Sequence, residues 1–266
     1  MPRLSINLTM LFLEIPFMER FAAVAQAGFQ AVELGYFLYD FSPEAIRREV
    51  DKHGLRVVHL NLPPGDRTRG ERGIANDPRR QEEFRASIDC GIRYAKALGV
   101  TRANCMSGLK LSDVPDRQQR QALVENFRYA AEALGAEGIQ MMTEPLNSWD
   151  VPGFHLNIPS QVFELMEEVA HPNFYLQYDI YHTQRMQGEL IGTLERHIDK
   201  IAHIQVADNP GRHQPGTGEI NYRAVFSAID TVGYTGYVGL EYIPTGNTGA
   251  SFGWIREYGL KEGGVS

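Results

Sequence analysis

Strand-like and helix-like segments alternate from one end of this 266-residue chain to the other, eight times in the same order. That alternation constrains the fold more than any other feature. A strand, a helix and a further strand in succession place the strands parallel and the helices on their faces. The strand-like runs are Leu4–Leu8, Ala31–Leu34, Leu55–Leu60, Val100–Met106, Ile139–Thr143, Phe174–Tyr178, His203–Val206 and Tyr237–Leu240. Between them apolar residues recur at helical spacing, as at Phe17, Phe21, Val24 and Ala25, or at Phe84, Ile88, Ile92 and Ala95. Ser42-Pro43 reads as an N-cap followed by proline at the first helical position, Asp77-Pro78 as another helix start, and Gly28, Gly54 and Gly99 as helix stops. Further helices are expected over 117–134, 159–169, 190–200 and 222–232, with a last one near 254–258. Eight strands are the number that closes into a barrel. The expectation is therefore an α/β protein, a single (β/α)8 barrel domain over 1–260 with 261–266 as a loose tail. A doubly wound open sheet is disfavoured, because no glycine-rich phosphate loop follows the first strand and no domain linker is visible.

Four polar residues stand at the ends of four successive strand-like runs: Glu144, Asp179, Gln205 and Glu241. In a parallel barrel those ends converge on one face, the face that carries the chemistry. Two Glu, one Asp and one side-chain amide form an oxygen-rich set suited to a hard divalent ion such as Mg2+ or Mn2+. Asp179 could also cap the turn that follows it. His203 precedes Gln205 by two residues and shares its face of the strand, so it is an alternative ligand one layer deeper.

Composition excludes more than it assigns. A net charge of −7 opposes a nucleic-acid partner, since the phosphate backbone rewards basic surfaces. No run approaches the length of a membrane span, and the N-terminus lacks the pattern of a signal peptide, so a soluble cytoplasmic protein is expected. Cys90 and Cys105 fall on a helix and a strand and are expected as two buried thiols. A long loop over 61–76 interrupts the third unit, and loops of that length in compact domains are usually functional or disordered.

Several motifs narrow the reading further. Asn7-Leu8-Thr9-Met10-Leu11-Phe12, Gly70-Glu71-Arg72-Gly73, Glu144-Pro145-Leu146-Asn147, Gln177-Tyr178-Asp179-Ile180-Tyr181-His182 and Pro215-Gly216-Thr217-Gly218-Glu219-Ile220 together resemble the hydroxypyruvate isomerase family, within the xylose-isomerase-like TIM barrels. The resemblance runs along essentially the whole chain. It implies one divalent metal and interconversion of hydroxypyruvate with tartronate semialdehyde through an enediolate. Its metal ligands would be Glu144, Asp179, Gln205 and Glu241, with Glu144 and Glu241 also the acid/base pair. The 2-oxo-tetronate isomerases share most of these motifs, and related sugar 3-epimerases commonly carry His where Gln205 stands.

Around that core, His182 is expected to bind substrate oxygens, and Arg212 to hold a substrate carboxylate bidentately. Glu71 and Arg72 would anchor or cover the substrate from the long loop. His59 and Asn61 would line the pocket at the end of the third strand, although a packed core histidine explains His59 nearly as well. Phe12, Trp149 and Tyr181 are wall candidates. The expected partner is a small hydroxy-keto acid, and a homo-oligomer is compatible with the sequence. Two other classes stand apart. A zinc endonuclease on a similar barrel needs a His and carboxylate cluster and a basic face, against which the eight histidines are scattered and the charge is acidic. A non-catalytic sugar-acid sensor would lack one acid/base carboxylate, and both are present.

Overall fold

A computed structural model describes residues 2–260 of the chain, so the expected tail at 261–266 lies outside the described residues. Eight parallel strands, β1 (Arg3–Asn7), β2 (Ala31–Leu34), β3 (Arg56–Asn61), β4 (Arg102–Asn104), β5 (Gln140–Thr143), β6 (Phe174–Asp179), β7 (Ile201–Val206) and β8 (Tyr237–Leu240), pair in chain order. β8 closes on β1, with Leu4 opposite Val238 and Ile6 opposite Leu240. The helices are α1 (Arg20–Gln26), α2 (Pro43–Lys52), α3 (Gln81–Leu98), α4 (Asp116–Ala136), α5 (Pro159–Val169), α6 (Ile180–Met186), α7 (Leu190–His197), α8 (Tyr222–Thr231) and α9 (Trp254–Glu257). Their apolar faces bury Phe21, Ile46, Ile88, Phe127, Leu165 and Ile229 completely against the barrel. Each such side chain contributes roughly 1.5–3 kcal/mol of hydrophobic stabilisation.

The expected elements hold with four local differences. β4 is three residues long where seven were expected, because only Arg102–Asn104 pair as strand with β5. α3 begins at Gln81 and not at Asp77-Pro78, since the Asp77 carboxylate folds back to accept from the Arg79 backbone and side chain. α6 was not anticipated. It starts directly from Asp179, and seven residues are too few to display a helical period. Both cysteines are free as expected, but only Cys105 is buried, Cys90 being half-buried on α3.

Two register shifts bear on the site. One falls between Val32 and Glu33 on β2 and the other between Leu176 and Gln177 on β6, each leaving an extra residue (Val58, Ala202) on the facing strand. Such irregularities re-aim the side chains that follow them. Here those are His59 and His203, paired with Glu33 and Gln177, and their rings stack nearly parallel with centroids 5.0 Å apart inside the barrel. Among the described residues no helix is long and apolar enough to cross a membrane.

Candidate active site

The strand ends bring Glu144, Asp179, His182, Gln205, Arg212 and Glu241 into one connected cluster. Glu144 follows β5 before Pro145, and its Oε2 accepts from Gln177 Nε2 at 2.9 Å and from Asn104 Nδ2 at 3.5 Å. Asp179 ends β6 and does both things its sequence position allows. Its Oδ1 caps α6 by accepting from the Tyr181 backbone at 2.7 Å, which leaves Oδ2 for the cluster. Glu241 follows β8 with its side chain 14% exposed, and is held on both oxygens, by Asn7 Nδ2 at 3.1 Å and Arg212 Nη2 at 2.9 Å. Gln205 turns its Oε1 to Gln177 Nε2 at 2.6 Å and its Nε2 to Glu33 Oε2 at 2.8 Å.

Glu144 Oε1, Asp179 Oδ2 and His182 Nε2 are buried without a hydrogen-bond partner. They lie within 4.8 Å of one another, and the two carboxylates among them could hold a metal ion. Buried polar atoms normally find a partner, and two orphaned carboxylate oxygens facing one point fit a cation they would share. The donor set fits too, because carboxylate oxygens with an imidazole or amide are common ligands of divalent ions.

His182 is oriented from outside the cluster. Its Nδ1 receives the Asn147 backbone N–H at 3.1 Å, so Nδ1 is the acceptor and the ring proton of the neutral imidazole resides on Nε2. Burial, reinforced by Arg212 and Arg185, holds His182 well below the usual histidine range and keeps it neutral. Nε2 then points at the carboxylates, 3.7 Å from Asp179 Oδ2 and 3.9 Å from Glu144 Oε1.

Arg212 comes from the loop after β7 and adopts a left-handed backbone, φ 58°, directly after Gly211 at φ 94°. A non-glycine residue there costs on the order of 1–2 kcal/mol, and strain of this kind gathers at functional sites. The surrounding motif explains how the loop sustains it. Buried Asp208 accepts from the backbone of Asn209, Gly216 and Ile220 at 2.8–3.1 Å. A side chain at Gly218 would strike Asn209 O at 2.2 Å. Arg212 reaches Glu241 and stands 3.7 Å from Asp179 Oδ2, with its guanidinium 5.4 Å from the centre of the Tyr181 ring. Tyr181 is fixed in turn by its hydroxyl donating to Asp150 at 2.8 Å.

The electrostatics follow from three carboxylates crowded out of water. Burial raises Glu144 well above the usual carboxylate range, and repulsion from Glu241 and Asp179 adds to it. Burial likewise lifts Glu241 to about 8 against the pull of Arg212. Asp179 is raised by burial despite Arg212. Burial draws Arg212 down, but Glu241, Asp179 and Glu144 outweigh it and raise the guanidinium further. Perturbation of this kind by burial plus specific partners is characteristic of functional sites.

Other expected residues stand further from this centre. Asn61 joins only through Asn104, whose Nδ2 donates to Asn61 Oδ1 at 3.0 Å. His59 is buried and stacked on His203, and burial together with His203 depresses it to about 3, a neutral packed ring. His203 donates to Glu33 at 2.8 Å instead of turning to the cluster. Glu71 is gripped by Arg80 at 2.7 and 3.0 Å and accepts from the Asp66 backbone at 2.7 Å, so it braces the long loop. Arg72 donates to the Tyr36 hydroxyl. Of the three wall candidates, Tyr181 packs beneath Arg212, Phe12 is buried against Phe252 and Trp149 is 71% exposed. The sequence did not single out Glu33, Gln177 or Asn104 as site residues. Glu33 carried the same signal as Glu144, a carboxylate within an apolar strand run.

Residues 21–258 match a family described as the xylose isomerase-like TIM barrel. The chain is 46% identical to a hydroxypyruvate isomerase of Escherichia coli (strain K12), over 97% of this chain and 100% of that one. It is 40% identical to a 2-oxo-tetronate isomerase of Cupriavidus necator, over 97% and 99%. A crystal structure described as an AP endonuclease of family 2 from Brucella melitensis superposes with a TM-score of 0.93 at 41% identity, covering 97% of this chain and 99% of that one.

Proposed function

This chain belongs to the xylose isomerase-like TIM barrel family and is an isomerase, and we propose that its reaction is the metal-dependent interconversion of hydroxypyruvate and tartronate semialdehyde. The observation that carries the reading is the convergence of Glu144, Asp179 and His182 on one buried point, with Glu241 beside it on a fixed arginine. A divalent ion held by Glu144, Asp179, Gln205 and Glu241 would supply Lewis-acid polarisation of the substrate's carbonyl and hydroxyl oxygens. Mg2+ or Mn2+ suits this oxygen-rich set.

The chain's own residues supply the rest. Glu144 and Glu241 end strands on opposite parts of the barrel rim and form the acid/base pair. One removes a proton from C3 of hydroxypyruvate, the other delivers a proton to C2, and the hydroxyl proton passes between the two substrate oxygens. Each positioned acid or base contributes roughly 10²–10⁴ in rate. His182, with its proton on Nε2, donates to the oxygen that gains charge in the enediolate. Ligation through Nε2 would need the proton on Nδ1, where it would oppose the Asn147 N–H. The Arg212 guanidinium takes the substrate carboxylate.

The deciding assay isomerises hydroxypyruvate with EDTA-stripped protein, with and without Mg2+ or Mn2+, beside 2-oxo-tetronate and a duplex bearing an abasic site. Turnover restored by metal and favouring hydroxypyruvate is expected. Preference for the four-carbon acid would keep the site and reassign the substrate; strand cleavage alone would replace the isomerase reading.

Metal removal also has a signature in stability. Acids raised by burial bind protons more tightly in the folded state, so their contribution weakens as pH rises from the ordinary carboxylate range through the folded value. For Glu241 that window runs from about 4.5 to about 8. Melting of the EDTA-treated protein is therefore expected to fall across this window. Mn2+ at a hundredfold excess over its Kd should recover roughly 5–10 °C at the upper end. A flat, metal-insensitive melting profile would contradict the assignment. Gln205→His is expected to retain Mn2+ binding, because imidazole is a competent ligand; a variant that stays metal-free under metal excess would show that imidazole cannot replace the amide oxygen at this position.

A further inference from the structure

Glu33 has no part in the proposed proton transfers, yet its carboxylate is fully buried and accepts from four side chains. Oε1 receives Ser5 Oγ at 2.6 Å and His203 Nε2 at 2.8 Å. Oε2 receives Gln205 Nε2 at 2.8 Å and Asn7 Nδ2 at 3.4 Å. Strand β8 makes room for it with a glycine: a Cβ on Gly239 would lie 2.1 Å from Glu33 Oε1.

An ionised carboxylate only accepts, so the side of the Gln205 amide that meets it must be the NH2. The Gln205 oxygen is thereby turned the other way, to Gln177 Nε2, with a second lone pair left for a cation. Gln177 continues the same polarity, its amide nitrogen serving both Gln205 Oε1 and Glu144 Oε2. A second arm runs through Asn7, whose Nδ2 donates to Glu33 and to Glu241 Oε1. From this network we infer that Glu33 is a positioning residue that dictates which face of the Gln205 amide meets the site. It keeps the amide oxygen available as a metal donor and ties Glu144 and Glu241 to one buried anchor. A flipped amide would present an NH2, which has no lone pair for a cation. The inference rests on Gln205 being a metal ligand, as proposed above.

The test is titration of EDTA-stripped full-length protein with Mn2+ by calorimetry, comparing wild type with Q205A, E33Q, Q205E and E33Q/Q205E. Q205A is expected to weaken Mn2+ binding at least about tenfold, and E33Q to weaken it by about 10–100-fold, the range seen when partners of metal ligands are removed. Q205E sets two carboxylates against each other. The double variant restores a donor facing an acceptor with the roles exchanged, and is expected to bind Mn2+ within about threefold of wild type. A residue that served the fold alone would lower melting temperature in E33Q and leave Mn2+ affinity unmoved. Wild-type affinity in E33Q with weakened Q205A overturns the role of Glu33 and spares the ligand set. Wild-type affinity in Q205A overturns the ligand assignment itself, and the inference with it. Should E33Q fail to fold, the double variant decides, a tenfold loss or more overturning the inference.

Discussion

Replacing Glu144 or Glu241 by glutamine is expected to lower turnover at least about a hundredfold while the barrel stays folded, the loss that follows from removing a positioned acid or base. Glutamine keeps the shape of each side chain but can neither take nor return a proton at neutral pH. The two variants should differ in their structural cost. In Glu144→Gln the new amide can keep its oxygen toward Gln177 Nε2 and place its NH2 where Glu144 Oε1 stood, an atom without a hydrogen-bond partner. Glu241 accepts a donor on each oxygen, from Asn7 and from Arg212. An amide accepts on one side only, so Glu241→Gln sets NH2 against a donor and should also lose about 1–3 kcal/mol of stability. Turnover under saturating Mn2+, with circular dichroism and melting on the same samples, separates the effects. Near-normal turnover in either variant removes that residue from the acid/base pair.

Arg212→Ala is expected to raise KM roughly 10–100-fold, since a hydrogen bond to a charged group contributes about 1.5–3 kcal/mol. Arg212→Lys should recover part of this, because an ammonium supplies the charge without the planar fork that matches a carboxylate. A second effect has a definite sign. Arg212 pulls the Glu241 and Asp179 carboxyls down against burial, so its removal raises them further. The acidic limb of the pH–rate profile should therefore move to higher pH in Arg212→Ala and return toward wild type in Arg212→Lys. An unchanged KM would show that the substrate carboxylate is held elsewhere.

Much of this site was legible in the chain, and what was legible shares a cause. Glu144, Asp179 and Glu241 each follow a short apolar run, and strand ends of a parallel barrel converge whatever the loops do. Proline at the first helical position and period-2 or period-3.6 patterning act locally, so α2, α5, β2, β5, β6 and β8 fall within a residue of expectation. Glu71 shows the opposite case. Its motif signalled a functional loop, but whether its carboxylate met the substrate or Arg80 depended on where α3 began, and Asp77 delayed that start to Gln81.

The barrel and the carboxylates at its mouth follow from the chain alone, because periodicity and strand-end chemistry are properties of a few adjacent residues. How those groups are oriented is set by contacts between distant segments. The amide polarity of Gln205 depends on Glu33, 172 residues away, and the tautomer of His182 on the backbone of Asn147, 35 residues away. The register shifts that set His59 and His203 opposite Glu33 and Gln177 arise from pairing between strands. Hydrogen-bond direction is a relation between two partners, and a linear chain does not state which partners will meet.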